Sequence, residues 1–330
     1  MNSIRVAVVG ATGYGGAEAV RLLAGHPCAR VATVTSSRNP GKPLSEDCPW
    51  LDSDLLLEPF DPDALDADVA FLCQEAGFAM EHAPGLSKRM RVIDFSADFR
   101  LKDRAVYEAF YQRPMTAPDV DAVYGLPELV DDDFTQARIV ANPGCYPTSA
   151  LLGLVPLMRA GLVAGIPVID SKSGVSGAGR SRKETEYLFG ELSGGFKAYG
   201  IHGHRHTPEI EQLAGTKVRF TPHLIPIARG ILTTIHVPIK EAADLDALFR
   251  DAYQGRPFVK IRNQLPSTKQ VMGSNRCDLH ASYDESTGYA VVVSVLDNLG
   301  KGAAGQAIQS MNLMFGLPEE TGLPTNGVWP

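Results

Sequence analysis

A glycine-rich turn between an apolar strand and a helix, near the start of the chain, limits the possible folds more than any other feature. The segment Ile4–Val9 is almost entirely apolar, the turn Gly10–Gly16 reads GATGYGG, and a helical pattern over Ala17–Ala24 ends at Gly25. In such a turn the glycines let the backbone approach a pyrophosphate, and the N-terminus of the helix stabilises its charge. The sequence therefore predicts a dinucleotide site, although the spacing GxxGxxG alone also suits a plain tight turn.

The alternation of β-rich and helical stretches predicts an α/β chain of two domains, for which 330 residues are sufficient. The first half is typical of a Rossmann-type, doubly wound parallel sheet, with β-rich runs at 31–35, 69–73, 92–94 and 138–141. The second half predicts an α+β domain with a mixed, largely antiparallel sheet, from a helix at 148–160 and runs at 167–172, 217–221, 231–239 and 289–297. We expect a nucleotide-binding domain at 1–146, a catalytic and oligomerisation domain at 147–302, and a segment 303–330 that packs back onto the first domain.

The end of the second strand indicates which nicotinamide cofactor would bind. This strand ends in Thr35-Ser36-Ser37-Arg38, without the acidic residue that would accept hydrogen bonds from a ribose 2'-hydroxyl. An arginine and two hydroxyls suit a 2'-phosphate instead, so the pattern favours NADP(H). The alternative is that Arg38 is an ordinary solvated loop residue.

Composition excludes several classes of function. The formal net charge is -7 and no dense run of Lys and Arg occurs, which argues against a nucleic-acid or membrane-surface partner. No apolar run approaches the ~18 residues of a membrane span, so we expect a cytoplasmic protein with small-molecule partners. The five cysteines are scattered without CxxC spacing, which argues against a disulfide scaffold and a zinc site.

One cysteine stands apart from the others. Cys145 lies in NPGCYPT, between a short β-run and an apolar helix, so it should sit at a helix N-terminus, where the helix dipole favours a thiolate. We interpret it as a candidate nucleophile. We interpret the remaining four, Cys28, Cys48, Cys73 and Cys277, as ordinary reduced thiols with a structural role.

A histidine-rich loop is the second candidate catalytic segment. His202, His204 and His206 precede a helix whose predicted N-cap is Thr207, with Pro208 at its first position. Imidazole titrates near neutrality, so one of these histidines would serve as a general acid and base. A metal site is the less favoured alternative, because no carboxylate or cysteine lies at a familiar spacing, and a purely structural role for each histidine stays open.

Two polar loops could bind anions. The stretch 171–180, SKSGVSGAGR, exposes backbone N–H groups beside cations, although a flexible surface loop is an equal alternative. The stretch 94–100, DFSADFR, follows a buried strand at the edge where open α/β sheets bind ligands. Arg100 could hold a carboxylate or phosphate there, or form a surface ion pair with Asp98 or Asp103.

Together these segments resemble the N-acetyl-gamma-glutamyl-phosphate reductases, enzymes of arginine biosynthesis related to aspartate-semialdehyde dehydrogenase. The resemblance runs essentially end to end and in family order, and NPGCYPT is its most specific motif. It rests on GATGYGG at 10–16, IDFSADFR at 93–100, YGLPE at 124–128, NPGCYPT at 142–148, SKSGVSGAGR at 171–180, GHRHTPEI at 203–210, PHLIPIARGI at 222–231 and DNLGKGAAGQAIQ at 297–309.

The resemblance implies roles for particular residues. Cys145 would form a thioester with an acyl phosphate, His204 would be the acid and base with His206 as the fallback, and Glu209 would orient the histidine. The implied NADP(H)-binding residues are Gly10, Thr12, Gly13, Tyr14, Gly15, Gly16, Ser36, Arg38, Ser173, Gly174, Asn298 and Lys301. The implied substrate-binding residues are Arg100, Asn142, Ser171 and His206, and no metal is implied.

The resemblance also implies the reaction and the assembly. The expected reaction is NADPH-dependent reduction of N-acetyl-L-glutamyl 5-phosphate to the 5-semialdehyde and inorganic phosphate, in a homodimer or homotetramer. The alternatives are an aspartyl or a carrier-bound aminoadipyl phosphate as substrate and, more distantly, a non-enzymatic NADP sensor. The chain departs from the family pattern at Gln74–Gly77, so cofactor contacts there cannot be carried over.

Overall fold

Two seven-stranded sheets organise the chain, and each is the centre of a separate unit. The structure, a computed structural model, describes residues 3–182 and 184–329. The first unit contains residues 3–143, 179–181 and 303–323, and the second contains residues 144–178, 182, 184–302 and 324–329. The predicted last segment, 303–330, is thus divided between the two units.

All strands of the first unit run parallel. Its strands are β1 (Ile4–Val9), β2 (Ala29–Thr35), β3 (Leu57–Glu58), β4 (Val69–Leu72), β5 (Arg91–Asp94), β6 (Val123–Tyr124) and β7 (Ile139–Ala141). Its helices are α1 (Tyr14–Leu23), α2 (Leu44–Asp47), α3 (Phe78–Leu86), α4 (Arg104–Tyr111) and α10 (Gly305–Met314). The order β3-β2-β1-β4-β5-β7-β6 reverses direction between β1 and β4, which is where doubly wound sheets bind ligands.

The central strands of this sheet are apolar on both faces, as a sheet covered by helices on both sides requires. Val6, Val8, Ala70 and Phe71 are fully buried. Helix α10 is part of the same unit, where the His26 ring nitrogen Nε2 and Asn312 Oδ1 lie 3.0 Å apart. The last long helix therefore belongs to the unit of the parallel sheet, although it begins 164 positions after the last strand of that sheet ends.

The second unit contains a mixed sheet in the order β12-β13-β14-β11-β8-β10-β9, in which four of the six strand pairs are antiparallel. Its strands are β8 (Val168–Gly174), β9 (Lys197–Ala198), β10 (Arg219–Ile225), β11 (Ile231–Pro238), β12 (Val259–Ile261), β13 (Cys277–Asp284) and β14 (Tyr289–Leu296). Its helices are α5 (Cys145–Arg159), α6 (Phe189–Leu192), α7 (Thr207–Ala214), α8 (Leu245–Ala252) and α9 (Thr268–Val271).

The predicted fold class is confirmed, and the errors lie in individual elements. Helix α5 begins three residues earlier than predicted, and the N-cap of α7 is His206 instead of Thr207. Five strands, β3, β6, β9, β12 and β13, were not predicted. The first four are only two or three residues long, and β13 is interrupted by the polar residues Asp278 and His280, so it lacks an apolar run.

None of the helices in the described ranges is both long enough and apolar enough to cross a membrane.

Candidate active site

The glycine turn of the first unit is folded tightly over the start of α1. The backbone N–H groups of Gly10 and Ala11 both donate to Thr35 O at 3.0 Å, which ties the turn to the end of β2. Gly10 has a φ of 89°, and a Cβ built on Gly16 would lie 2.4 Å from Gly10 O. Only glycine fits at these two positions, so they are needed by the fold itself.

The same turn leaves the N-terminus of α1 open. The N-cap, Gly13, provides no side-chain cap, and the first turn of the helix contains no acidic residue. A Cβ built on Gly13 would meet nothing closer than Gly10 O at 3.5 Å, so the space in front of this glycine is open. N–H groups at an open helix N-terminus fit the pyrophosphate of a dinucleotide.

This contrast gives a first prediction. Gly16→Ala should lower the free energy of unfolding by about 2 kcal/mol or more, because the methyl group would overlap backbone atoms. Gly13→Ala should leave the melting temperature within about 2 °C and weaken cofactor binding at least about tenfold, because the methyl group would occupy the open space. Thermal unfolding and cofactor titration of both variants check this, and equal effects of the two on stability would contradict it.

The end of β2 lies beside the glycine turn. Thr12 Oγ1 and Ser36 Oγ are 3.0 Å apart, and the backbone N–H of Arg38 donates to Ser36 Oγ at 3.1 Å. Ser36 is buried, whereas Arg38 is exposed. The structure therefore brings together three of the residues predicted to bind the cofactor, with the arginine side chain facing solvent.

Sequence reasoning did not single out Arg180 as a neighbour of this turn. The Arg180 guanidinium donates to Thr12 O at 3.0 Å and to Asp47 O at 2.6 Å, and it lies over the ring of Trp50 at 5.2 Å. The sequence predicts either an anion-cradling loop or a flexible surface loop for the motif that ends in Arg180. The contact with Thr12 joins residues 168 positions apart, so no local signal could have found it.

Helix α5 of the second unit begins at Cys145. Its N-cap, Gly144, supplies no side-chain cap, so the N–H groups of the first turn favour a negative charge at this end of the helix. Cys145 is partly exposed, and a Cβ built on Gly302 would lie 2.9 Å from Cys145 Cβ. Gly302 thus keeps the space beside the thiol clear, a second feature that the sequence did not reveal.

Three of the other four cysteines differ from Cys145 in their surroundings, whereas Cys28 is partly exposed like it. Cys48 and Cys277 are buried, and no disulfide is formed among the described residues. Burial raises the pKa of the Cys48 thiol, and burial, followed by the charge of Asp94, raises that of Cys73. Thiols held protonated in this way are poor nucleophiles.

A buried carboxylate fixes the segment before Cys145. Glu209, which is 1% exposed, accepts a hydrogen bond from the Gly144 backbone N–H at 2.9 Å. Glu209 lies in the first turn of α7, so the helix that follows the histidine loop is joined directly to the N-cap of α5. The observed contact is with the cysteine loop, a role that the sequence-based interpretation of Glu209 did not include.

His206 is the histidine that lies against the cysteine loop. A Cβ built on Gly144 would be 2.6 Å from His206 Nε2, so this edge of the imidazole faces the residue before Cys145. His204 lies in a cage of rings, with centroid distances of 5.7 Å to Tyr146, 5.4 Å to Tyr199 and 5.3 Å to Phe220. His202 is exposed.

The ring cage determines the charge of His204. Burial, assisted by the positive charge of Arg205, lowers the pKa of His204 from 6.5 to about 4. Its Nδ1 accepts a hydrogen bond from the His206 backbone N–H at 3.1 Å, so the neutral ring carries its proton on Nε2. At neutral pH His204 is therefore an uncharged group that supports the backbone of His206.

A pH dependence of stability follows from this shift. Between pH 6.5 and about 4 the unfolded chain binds a proton at residue 204 that the folded protein does not, so stability falls as the pH falls through this window. We expect a contribution of about 2 kcal/mol to be lost between pH 7 and pH 5. Urea unfolding of the wild type and of His204→Asn at both pH values measures it. The variant should lose less stability than the wild type, and an identical loss would contradict the assignment.

Two further predicted residues of the first unit have structural contacts. Arg100 is 8% exposed, and its guanidinium donates to Asn142 O at 2.7 Å and to Phe95 O at 2.8 Å. Asn142 Nδ2 donates to Ala303 O at 3.0 Å. Asp98 accepts from the N–H groups of Gly77 and Met80 and from the Tyr107 hydroxyl. These contacts fix backbone segments, and the substrate-binding roles of Arg100 and Asn142 stay predictions.

The remaining predicted cofactor- and substrate-binding residues of the second unit, apart from the partly buried His206, lie in its interior. Ser171 Oγ lies 2.8 Å from Thr233 Oγ1, and the Gly174 N–H donates to Gly230 O at 2.9 Å. Asn298 accepts from the Gly230 N–H at 2.7 Å and donates to Ser176 Oγ. Two more of them are also buried, namely Ser173 and Lys301. Their roles toward cofactor or substrate stay predictions.

No group of three or more His, Cys, Asp and Glu side chains that could hold a metal ion occurs in residues 3–182 and 184–329. In the second unit, Cys145 lies at the N-terminus of a helix, and the imidazole of His206 and the buried carboxylate of Glu209 both lie against the preceding residue, Gly144. This arrangement suits covalent catalysis with proton transfer.

Comparison with known proteins defines the class first. The family model described as the NAD binding domain of semialdehyde dehydrogenase matches residues 5–137, and the one described as the dimerisation domain matches residues 145–298. Aspartate semialdehyde dehydrogenase II from Vibrio cholerae, complexed with ASA, has the same fold at a TM-score of 0.71 and 19% identity, covering 96% of this chain and 99% of that one. The enzyme from Candida albicans, solved with NADP, gives a TM-score of 0.66 at 15% identity over 95% and 99% of the two chains. The class is therefore that of the semialdehyde dehydrogenases, oxidoreductases with a nicotinamide cofactor.

More similar relatives narrow the class. An N-acetyl-gamma-glutamyl-phosphate reductase of Geotalea daltonii is 49% identical over 99% of this chain and 100% of its own length. The one of Thermus thermophilus is 44% identical over 98% and 99%. This chain belongs to the N-acetyl-gamma-glutamyl-phosphate reductase family, and the resemblance seen in its motifs is confirmed.

Proposed function

We propose that the protein reduces N-acetyl-L-glutamyl 5-phosphate with NADPH to N-acetyl-L-glutamate 5-semialdehyde and inorganic phosphate, in arginine biosynthesis, through a thioester on Cys145. One observation carries the chemistry. The helix that starts at Cys145 has its N-cap glycine in contact with both His206 and Glu209. The choice of acyl group rests on the relatives, which are named for this reaction and match almost the whole length of this chain.

In the proposed mechanism the Cys145 thiolate attacks the carbonyl carbon of the acyl phosphate. A carbon–sulfur bond forms, the carbon–oxygen bond to phosphate breaks, and phosphate leaves with the electron pair. The thioester carbon then accepts a hydride, and the resulting thiohemiacetal releases the aldehyde as its carbon–sulfur bond breaks. The oxygen of the substrate carbonyl becomes negative in both steps, and N–H groups in the first turn of α5 stabilise this charge.

His206 is the proposed acid and base. It removes the proton of the Cys145 thiol and returns a proton to the sulfur when the aldehyde leaves. Sequence reasoning favoured His204 with His206 as the fallback. We prefer His206 because it contacts Gly144, whereas His204 is held neutral within the ring cage. Glu209 is a positioning residue in this proposal, since it fixes the Gly144 N–H and thereby the start of α5.

NADPH is the proposed cofactor, and it supplies the hydride when bound. The residues of the glycine turn fit its pyrophosphate, and Ser36 and Arg38 fit a 2'-phosphate, because β2 ends without a carboxylate that would repel it. Arg38→Ala should therefore weaken NADPH binding about 10- to 100-fold and change NADH binding less than about twofold. Fluorescence titration with each cofactor measures this, and an equal loss for both would show that Arg38 does not contact the 2'-phosphate.

The assay that tests the function runs the reaction in reverse. The purified protein is given NADP and phosphate with either N-acetylglutamate semialdehyde or aspartate semialdehyde. Phosphate-dependent NADPH formation with the first alone is the expected result. Activity only with aspartate semialdehyde would keep the mechanism and change the pathway. No NADPH formation with either aldehyde, in a protein that still binds NADPH, would favour a carrier-bound aminoadipyl substrate or a non-enzymatic sensor.

A homodimer or homotetramer is the proposed assembly. The family model that matches residues 145–298 is described as a dimerisation domain. The mixed sheet also carries Leu232, Val291 and Val293 at positions that are only partly buried. Light scattering after size exclusion gives the number of chains. The cytoplasmic location expected from the sequence stays a prediction.

A further inference from the structure

A pocket of about 700 Å³ opens in the second unit, among residues that the proposed reaction does not use. The end of β12, the loop that follows, α9 and Trp329 line it. We call it the arginine pocket and define it by Arg250, Arg262, Lys269, Arg276 and Trp329. Its volume falls within the range of small-molecule sites.

The charge of the pocket is opposite to that of the whole chain. Four cationic side chains and one carboxylate, Asp278, are among the described residues that line it, and Asp246 pairs with Arg250 from outside the lining. Four cations against two carboxylates leave a local excess of two positive charges, whereas the chain carries a formal charge of -7. Cations gathered in a concave site raise the local concentration of anions. An anionic ligand is therefore the expected occupant.

A buried carboxylate holds two of the arginines in place. Asp278 is 1% exposed and accepts from Arg262 Nε at 2.8 Å and from Arg276 Nε at 2.6 Å. The terminal nitrogens of Arg276 are used by backbone carbonyls of Gln270 and Thr325. Those of Arg262 donate to none of the described residues. Arg262 thus presents a fixed pair of N–H donors, the geometry that binds phosphate in bidentate fashion.

The remaining wall adds donors and an aromatic surface. Arg250 donates to Asn263 Oδ1 at 2.8 Å, which orients the Asn263 amide so that its NH₂ group can donate elsewhere. The ammonium of Lys269 lies over the Trp329 ring at 5.7 Å. The backbone N–H of Val328 donates to Met272 O at 2.7 Å, so the exposed Trp329 is held next to α9.

We propose that the arginine pocket binds a nucleoside phosphate, with its phosphate on Arg262 and Lys269 and its base on Trp329. The guanidinium and ammonium groups recognise the phosphate, and the indole ring provides a stacking surface for a planar base. An inorganic phosphate or an acyl phosphate would use the cations alone. None of the described residues that line this pocket belongs to the glycine turn or to the cysteine loop.

Tryptophan fluorescence tests the proposal directly, because the chain has two tryptophans, Trp50 and Trp329. In the full-length Trp50→Phe variant, Trp329 is the reporter. ADP is titrated with NADP present at saturation, so that the glycine turn is already filled. We expect a saturable change with a Kd between about 10 μM and 1 mM, a weaker response to inorganic phosphate, and none to adenosine.

Matched variants locate the binding. Arg262→Gln and Lys269→Gln should each weaken ADP binding at least about tenfold, whereas Arg30→Gln, which removes an exposed charge of the first unit, should not change it. Lys269 is exposed, so its variant remains informative if Arg262→Gln unfolds. The titration extends to about 5 mM ADP, which is about five times the weakest expected Kd. The absence of any fluorescence response up to this concentration would overturn the proposal. Binding unchanged in both variants, or abolished by NADP, would also overturn it.

Discussion

Replacing Cys145 with serine is expected to lower kcat at least about 10³-fold, because loss of an activated nucleophile removes the covalent route and can cost up to ~10⁶ in other enzymes. The serine hydroxyl is nearly the same size but far less acidic than a thiol, so α5 should begin unchanged. Binding of NADPH, measured by fluorescence, should stay within about twofold of the wild type. Steady-state assays in both directions give the loss of turnover.

Two controls distinguish loss of the nucleophile from a general effect of the substitution on the folded protein. Cys28→Ser changes another partly exposed cysteine and should retain activity. Incubation of the wild type with acyl phosphate in the absence of NADPH should release phosphate and leave an acyl group on Cys145, which mass spectrometry detects. A serine variant with near-normal turnover, or phosphate release without an acyl adduct, would rule out the thioester.

Replacing His206 with asparagine is expected to lower kcat about 10²- to 10⁴-fold, the usual contribution of a general acid and base. The wild-type rate should depend on pH near neutrality, and the variant should lose that dependence. His204→Asn should lower kcat less than about tenfold, since a histidine with a pKa of about 4 is neutral at pH 7, where it is too weak a base to take up the thiol proton and is not in the imidazolium form that donates one readily. The pH profiles of both variants separate a proton-transfer role from a structural one.

The pair of histidine variants can also reverse the assignment. If His204→Asn causes the larger loss and removes the pH dependence, His204 is the acid and base, and His206 acts only as its neighbour. If neither variant changes the profile, the proton passes through another group. Unfolding in urea at pH 7 serves as the control in each case, because only a folded variant can report on catalysis.

The sequence was sufficient where the signal is local. Strand β1, the glycine turn and α1 follow one another without interruption, and so do β7, the cysteine loop and α5. Periodicity and glycine spacing record such neighbours directly. This is why the parallel sheet and the position of Cys145 at the start of a helix could be predicted.

The sequence was insufficient where distant segments meet. The choice between His204 and His206 depends on which imidazole the loop turns toward Gly144, about 60 residues earlier in the chain. The contact of Arg180 with Thr12 and the clearance that Gly302 gives Cys145 are of the same kind. Such contacts depend on side-chain packing in three dimensions, which one sequence does not record.

The burial of α5 has a consequence for protein engineering. Twelve of its fifteen residues are buried, namely every position from Tyr146 to Leu157. Cys145 is thus the first residue of a helix that forms part of the core of the unit, and its position cannot change unless that core repacks. The histidine loop, in contrast, has exposed residues at 200–203 and at Arg205. Libraries that aim to change the acyl group of the substrate should therefore vary the exposed positions of this loop and leave α5 intact. Substitutions at exposed loop positions destabilise the fold less than substitutions in the buried helix.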